Sequence, residues 1–311
     1  MKDFIGSVPK IRRARSKAAA SPRPLLVKWL IAVVVLCVAV LLGWLLLRSL
    51  QWSDFMHTDS QETVLFLAEK VDQTGAYVVQ FLFDDLAVDV YPIPADVPLA
   101  VAGGYGTYRF QAVYPLLILE GKELSYIRSA MSLSTGVLLD ELWYADVSTL
   151  DFNSRTRLQT FLLRQFFSNH QVGLTQKLAW LALVFDQRTD YEVHEPLTTL
   201  PSTVFEQFNY GVEQSPCTVA LINTTPLAGL AGRIATLLES HHFRVVRTTS
   251  DATSVERTTV LYADPFLPDC RLVMEKLEKL VPGGVVKQVD ADETVRNRAD
   301  LVVRLGTDLA Q

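Results

Sequence analysis

Glycine and proline are scarce, 15 and 14 in 311 residues, which excludes a collagen-like or low-complexity chain. No G-x-S-x-G, H-E-x-x-H, P-loop or C-x-x-C occurs, so none of the chemistries those motifs carry is announced. No internal repeat is present. Basic residues are few over one long stretch: 49–216 holds nine against 21 acidic ones, a balance that repels polyanions unless a local cluster overrides it. Residues 217–311 carry 11 basic and 12 acidic residues with no basic face, so the Gly229–Gly232 spacing reads as close helix packing rather than a nucleic-acid clamp. His241-His242 lacks a third metal ligand at useful spacing.

What the chain does have is one long apolar run. Trp29 to Leu47 is 19 residues without a charge, and as a helix it covers roughly 28 Å, the hydrocarbon thickness of a bilayer. Arg48-Ser49-Leu50-Gln51-Trp52 follows, with no small-residue cleavage site, so 25–48 reads as an uncleaved transmembrane helix. Residues 1–28 hold eight basic residues against Asp3 alone, which orients a disordered basic tail, 1–24, to the cytoplasm. The expected location is therefore the cell membrane, single-pass, with the C-terminal domains outside and membrane lipid as a partner.

Beyond a polar spacer, 49–62, apolar runs predict strands at Val64–Leu67, Tyr77–Phe83 and Leu86–Tyr91, with a turn at Asp84-Asp85. Helical spacing appears at 121–131 and through 155–185. Residues 201–216, with Pro201 and Pro216, read as a linker. The final stretch reads as β-α-β-β-α-β-β. Its strands are Cys217–Ile222, Phe243–Thr248, Thr258–Tyr262, Val285–Val289 and Leu301–Leu305. Its helices start at Pro226 and near Asp269. The fold class is mixed α/β (α+β). In that order the start of the first strand and of the second helix share one sheet end, leaving Cys217 and Cys270 either disulfide-bonded in an oxidising compartment or buried as two thiols. Cys37 lies in the apolar run.

VALINTTPLAGLAGRIATLLESHHFRVV, ERTTVLY and ADLVVRLGTDL together resemble the LytR C-terminal domain family over almost all of 217–311. The chain departs at Thr224 and His242, where that family carries glycine. Such a domain commonly follows a LytR-CpsA-Psr (LCP) domain behind one membrane helix, and 63–200 is similar to a divergent one. Tyr91-Pro-Ile-Pro-Ala-Asp96 is similar to the LCP motif S-I-P-R-D, Tyr108–Tyr114 to K-I-N-A-A-Y, and Asp151–Gln159 to D-x-x-R-x-x-R-Q.

LCP enzymes move a glycopolymer phosphate from a polyprenyl pyrophosphate to peptidoglycan, using arginines as a clamp and an acid pair for Mg²⁺. Here Ala95 and Leu158 replace two of those arginines, and the R-x-D before the second strand falls near Gln73–Gly75, with neither charge. What remains is Asp96 for a metal and Arg109, Arg155 and Arg157 for phosphate. The alternative for each arginine is a surface ion pair with the many acids. Besides regulation, in which the basic tail touches a cytoplasmic partner, two readings follow. One is a non-catalytic envelope protein that binds or scaffolds peptidoglycan, wall glycopolymer or other envelope proteins, with no cofactor. The other is an active phosphotransferase working through Asp96, Arg109 and Arg155 with Mg²⁺. Nucleic acid is not an expected partner of either.

Overall fold

The structure, a computed structural model, describes residues 61–68, 76–145, 150–166, 172–200, 215–264 and 267–309, with Trp29, Val33 and Val35. Two compact units divide the chain, Met1–His57 and Thr58–Gln311. In the first, Trp29, Val33 and Val35 are helical and exposed. The 1–24 tail, the rest of the 25–48 segment and most of the 49–62 spacer and 201–216 linker lie outside the described residues. Among the described residues no helix is long and apolar enough to cross a membrane.

The second unit contains two five-stranded sheets and a hairpin. The first sheet uses β1 (Gln61–Ala68), β2 (Ala76–Leu82), β3 (Ala87–Ile93), β6 (Glu141–Ala145) and β7 (Asp190–Val193), in the order β6-β1-β2-β3-β7. Strands β1 to β3 are antiparallel neighbours, and the outer β6 and β7 run parallel to theirs. Between β3 and β6 come the hairpin β4 (Pro98–Val101)–β5 (Gly106–Arg109) and helices α1 (Phe110–Leu119) and α2 (Leu124–Thr135). Helices α3 (Arg155–Gln165) and α4 (Leu174–Phe185) precede β7.

Because strand side chains alternate, the apolar runs feed two cores. Leu65, Val78 and Tyr91 meet Phe110, Val113, Ile127 and Met131 of α1 and α2 on one face. Phe66, Val79 and Val90 meet Leu158, Leu162, Trp180 and Leu183 of α3 and α4 on the other. The second core is aromatic, with Phe66 5.5 Å from Trp143 and Phe81 stacked on Trp180 at 5.1 Å.

The second sheet has the order β11-β10-β12-β8-β9, from β8 (Thr218–Asn223), β9 (Arg244–Ser250), β10 (Thr259–Tyr262), β11 (Val286–Val289) and β12 (Leu301–Leu305). Only β10–β12 is antiparallel. Helices α5 (Leu230–Ser240) and α6 (Arg271–Leu280) bury their apolar stripes on one face. Edge strand β9 carries a bulge: Val219 pairs with Val245 and Ala220 with Arg247, so Val246 is the extra residue.

Several sequence expectations need correction. Helix α5 begins at Leu230, not Pro226, because Asn223 and Thr225 first build a tight turn: Asn223 Oδ1 accepts from the Thr225 N–H at 3.0 Å, and Thr225 Oγ1 from the Leu227 N–H at 3.2 Å. A helix α7 (Ala291–Asn297) intervenes before β12, so the C-terminal order is β-α-β-β-α-β-α-β. The helical spacing through 155–185 is borne out, as the two helices α3 and α4. The 121–131 signal belongs to a helix that runs on to Thr135.

Candidate functional site

The sequence-predicted site residues do not converge. Asp96 is exposed in the turn after β3, and Arg109 is exposed at the end of β5, just before α1. These two are neighbours in the fold, since Phe110 N–H donates to Val97 O at 2.8 Å and Gln111 N–H to Ala95 O at 3.1 Å. Arg155 and Arg157 instead open α3, whose apolar face packs on the opposite side of the first sheet.

Arg155 is a structural residue. Its Nε donates to Val184 O at 2.6 Å, Nη1 to Thr189 O at 3.2 Å, and Nη2 to Asp186 O. A cation there binds the Val184 carbonyl at the end of α4 and two carbonyls of the turn that follows it. Arg157 pairs with Asp151, as the surface alternative anticipates. Leu158, where the LCP motif has arginine, is fully buried in the aromatic core. Asp96 belongs to no group of three metal-capable side chains among the described residues, and the acid that would accompany it is missing from the sequence at Gln73–Gly75. These residues do not fit a Mg²⁺–pyrophosphate centre.

The polar groups of the C-terminal motifs hold the second sheet together. Thr224, at a usual glycine position, donates from Oγ1 to Leu305 O at 2.6 Å and accepts from the Val255 N–H at 3.2 Å. Asp308 accepts from the Thr258 N–H and hydroxyl, each at 2.7 Å. A Cβ on Gly306 would lie 2.5 Å from the Arg257 carbonyl carbon, so the L-G-x-D motif needs glycine there for close backbone approach. His242, the other departure from glycine, has φ +60°, the left-handed region glycine adopts freely. Cys217 and Cys270 form a disulfide with a Cα separation of 5.0 Å.

A buried charge cluster joins the two sheets. Asp140, at the entry to β6, is fully buried and accepts from Lys276 Nζ at 2.7 Å, Lys279 Nζ at 3.2 Å and the Thr63 N–H at 2.8 Å. Burial pushes its carboxyl up, but the two ammonium groups and the Thr63 N–H together hold it below the usual range. Arg128 on α2 donates to Asp140 O at 3.1 Å and to Lys279 O at 2.8 Å. Nearby Glu62 accepts from the Trp180 indole at 2.6 Å, and burial, then the Asp140 charge, raises its carboxyl. His241 lies buried on the same junction. Its Nε2 accepts from the Leu138 N–H at 3.1 Å while Nδ1 faces Leu237 O at 2.8 Å, and burial lowers its pKa to about 3. Sequence reasoning missed this cluster because its members pair over 136 to 139 positions.

It also missed a polar row on the first sheet, Gln80, Asp89, Glu192 and His194. The available signal was a single polar residue interrupting each of the apolar runs YVVQFLF and LAVDVY.

Residues 217–309 match the family model described as LytR cell envelope-related transcriptional attenuator. The match covers the second sheet, and 63–200 lies outside it. No curated protein and no solved structure matches the chain. A sheet closed by the Asn223 turn, the Gly306 contact and the Asp308 cap, with the family's sequence pattern upon it, makes residues 217–309 a LytR C-terminal domain of the cell-envelope-related kind.

Proposed function

We propose that this chain is a membrane-anchored envelope protein whose two sheets form a non-catalytic binding or scaffolding body, related to the LCP ligases. The observation that carries this reading is the engagement of Arg155 by three backbone carbonyls, on the opposite face of the sheet from Arg109. A pyrophosphate clamp needs guanidinium groups that converge with free donors. Two absent arginines remove roughly 3–6 kcal/mol of phosphate binding, on the order of 10²–10⁴ in affinity or rate. The 19-residue apolar run supports the anchor, and the Cys217–Cys270 disulfide supports an oxidising compartment for the domains behind it. Wall glycopolymer, peptidoglycan or another envelope protein is the partner class. The transcriptional role in the family's description finds no support in the charge of 217–311.

The test uses the full chain in detergent with a polyprenyl-pyrophosphate-linked glycopolymer and Mg²⁺. Neither retention nor transfer is expected. Transfer that disappears in Asp96→Ala or Arg109→Ala would establish the phosphotransferase instead. A reporter fused after Gln311 should be active only outside the cytoplasm, and cytoplasmic activity would overturn the topology.

A further inference from the structure

Thr63, Gln80, Asp89 and Glu192 form one row across β1, β2, β3 and β7, each directly paired with the next. Directly paired residues share a face of a sheet, so all four point to the side that carries α1 and α2. Asp89 and Glu192 are therefore carboxylates set directly opposite one another, an arrangement that is unfavourable without a compensating charge.

His194, two residues after Glu192, stands against both. Its Nε2 is 3.4 Å from Asp89 Oδ1 and its Nδ1 is 3.7 Å from Glu192 Oε1. The ring is held by stacking on Tyr91 at 4.3 Å and 5°, and its backbone N–H donates to Val90 O at 2.9 Å. One donor atom from each of Asp89, Glu192 and His194 lies within 4.8 Å of the other two.

A second observation is independent of these three. Gln80, next to Asp89 in the row, has 0% exposure, and among the described residues neither its amide oxygen nor its amide nitrogen has a hydrogen-bond partner. The buried Nε2 of His194 also lacks a properly directed hydrogen bond. Buried amides are almost always satisfied, so an orphaned one paired directly with Asp89 points to a ligand that supplies the contact its oxygen lacks.

We infer that Asp89, Glu192 and His194 bind a divalent transition-metal cation, with the Gln80 amide oxygen as the donor from the buried side. Two carboxylates balance a double positive charge. The imidazole selects against Mg²⁺ and Ca²⁺, which prefer all-oxygen sites, and the absence of thiolate selects against Cu(I). Zn²⁺ and Mn²⁺ fit the mixed set. Two metal–ligand bonds of ~2.1 Å at a tetrahedral angle place their ends ~3.4 Å apart, the separation of His194 Nε2 and Asp89 Oδ1. Entry is open from the sheet edge, where Glu192 is 64% exposed on the outermost strand. This site is separate from Asp96 and holds under either reading of the chain's function.

The experiment uses the full chain without a histidine tag, stripped with a chelator and titrated with Zn²⁺ or Mn²⁺ by calorimetry. One Zn²⁺ per chain with micromolar or tighter affinity is expected, weakened at least 100-fold in His194→Ala and Asp89→Asn. Gln80→Leu should weaken it about tenfold, and Asp96→Asn should leave it unchanged. Binding that survives the double variant Asp89→Asn/His194→Ala would overturn the assignment, as would no binding to the wild type. Pulsed EPR of the Mn²⁺-loaded wild type provides a readout that needs no variant to fold. Coupling to one imidazole nitrogen is expected, and its absence would refute the site.

Discussion

Asp140 Oδ1 accepts a hydrogen bond from Lys276 Nζ at 2.7 Å, linking the entry to β6 with α6 of the other sheet. Asp140 is 1% exposed and Lys276 10%, so the pair is shielded from solvent. A buried pair adds little net stability compared with an apolar replacement, but removing one member leaves the other charge uncompensated. Asp140→Ala should therefore lower unfolding free energy by about 3–5 kcal/mol in denaturant titrations. Asp140→Asn should also destabilise, since it keeps the shape but leaves two ammonium groups facing a neutral amide. A loss below about 1 kcal/mol would show that the junction is hydrated in solution.

Arg155 and the other two arginines of the expected clamp should behave differently. Arg155→Ala removes three hydrogen bonds and leaves Thr189 O without this donor, while Val184 O keeps Gln159 and Asp186 O keeps the Thr189 N–H; it should cost about 2–4 kcal/mol, with Arg155→Lys intermediate. Arg109→Ala and Arg157→Ala remove exposed side chains and should change stability by no more than about 0.5 kcal/mol. Thermal melts of the three variants would separate them, and equal effects would contradict the structural role of Arg155.

The Cys217–Cys270 bond closes a 53-residue separation. Loop-closure arguments give about 4 kcal/mol for a loop of that length. The Cys217→Ser/Cys270→Ser variant should melt well below the wild type, and reductant should shift the wild type but not the variant. Thiol labelling of unfolded, unreduced protein should find Cys37 alone.

The pH response of His241 has a definite sign. Burial, reinforced by the charges of Lys276 and His242 and opposed by the Leu237 carbonyl and Asp140, lowers its pKa to about 3 against ~6.5 when unfolded. The folded state thus binds fewer protons, and stability falls as pH drops from ~6.5 toward ~3. Between pH 6.5 and 5 this group alone costs about 2 kcal/mol. Glu62 and Glu141, both raised by burial, act in the opposite sense, while Asp140, held low, adds its loss at more acid pH. The difference in pH slope between wild type and His241→Gln isolates the histidine, and identical slopes would refute its neutral burial.

How much of this was legible depended on how local the signal is. The strands around Leu65, Val79, Val219 and Val303 announced themselves through apolar runs, as did α5 and α6 through helical spacing. Helix α7 did not, because its seven residues bury only Thr294 and Asn297. Its one cue was Asp290 with Glu293 three residues on, and Asp290 does cap the Glu293 N–H at 3.0 Å. Short β6 and β7 are recruited by their parallel partners β1 and β3. The direction of Arg155 was unreadable, since its acceptors lie 29 to 34 residues ahead. Gln80 and Asp89 stood out as polar residues, but only strand register sets them side by side.

The bulge at Val246 bears on how closely copies of the chain can crowd together. An open, flat strand edge is a template for a second chain, and stacking along it would turn a dispersed protein into an insoluble array. Strand β9 is one such edge, paired only with β8 among the described residues. The extra residue throws the outer row of amides out of step, and exposed Arg244 and Arg247 repel an identical strand laid alongside. Deleting Val246 would restore an even spacing, and with it the tendency of neighbouring molecules to zip together.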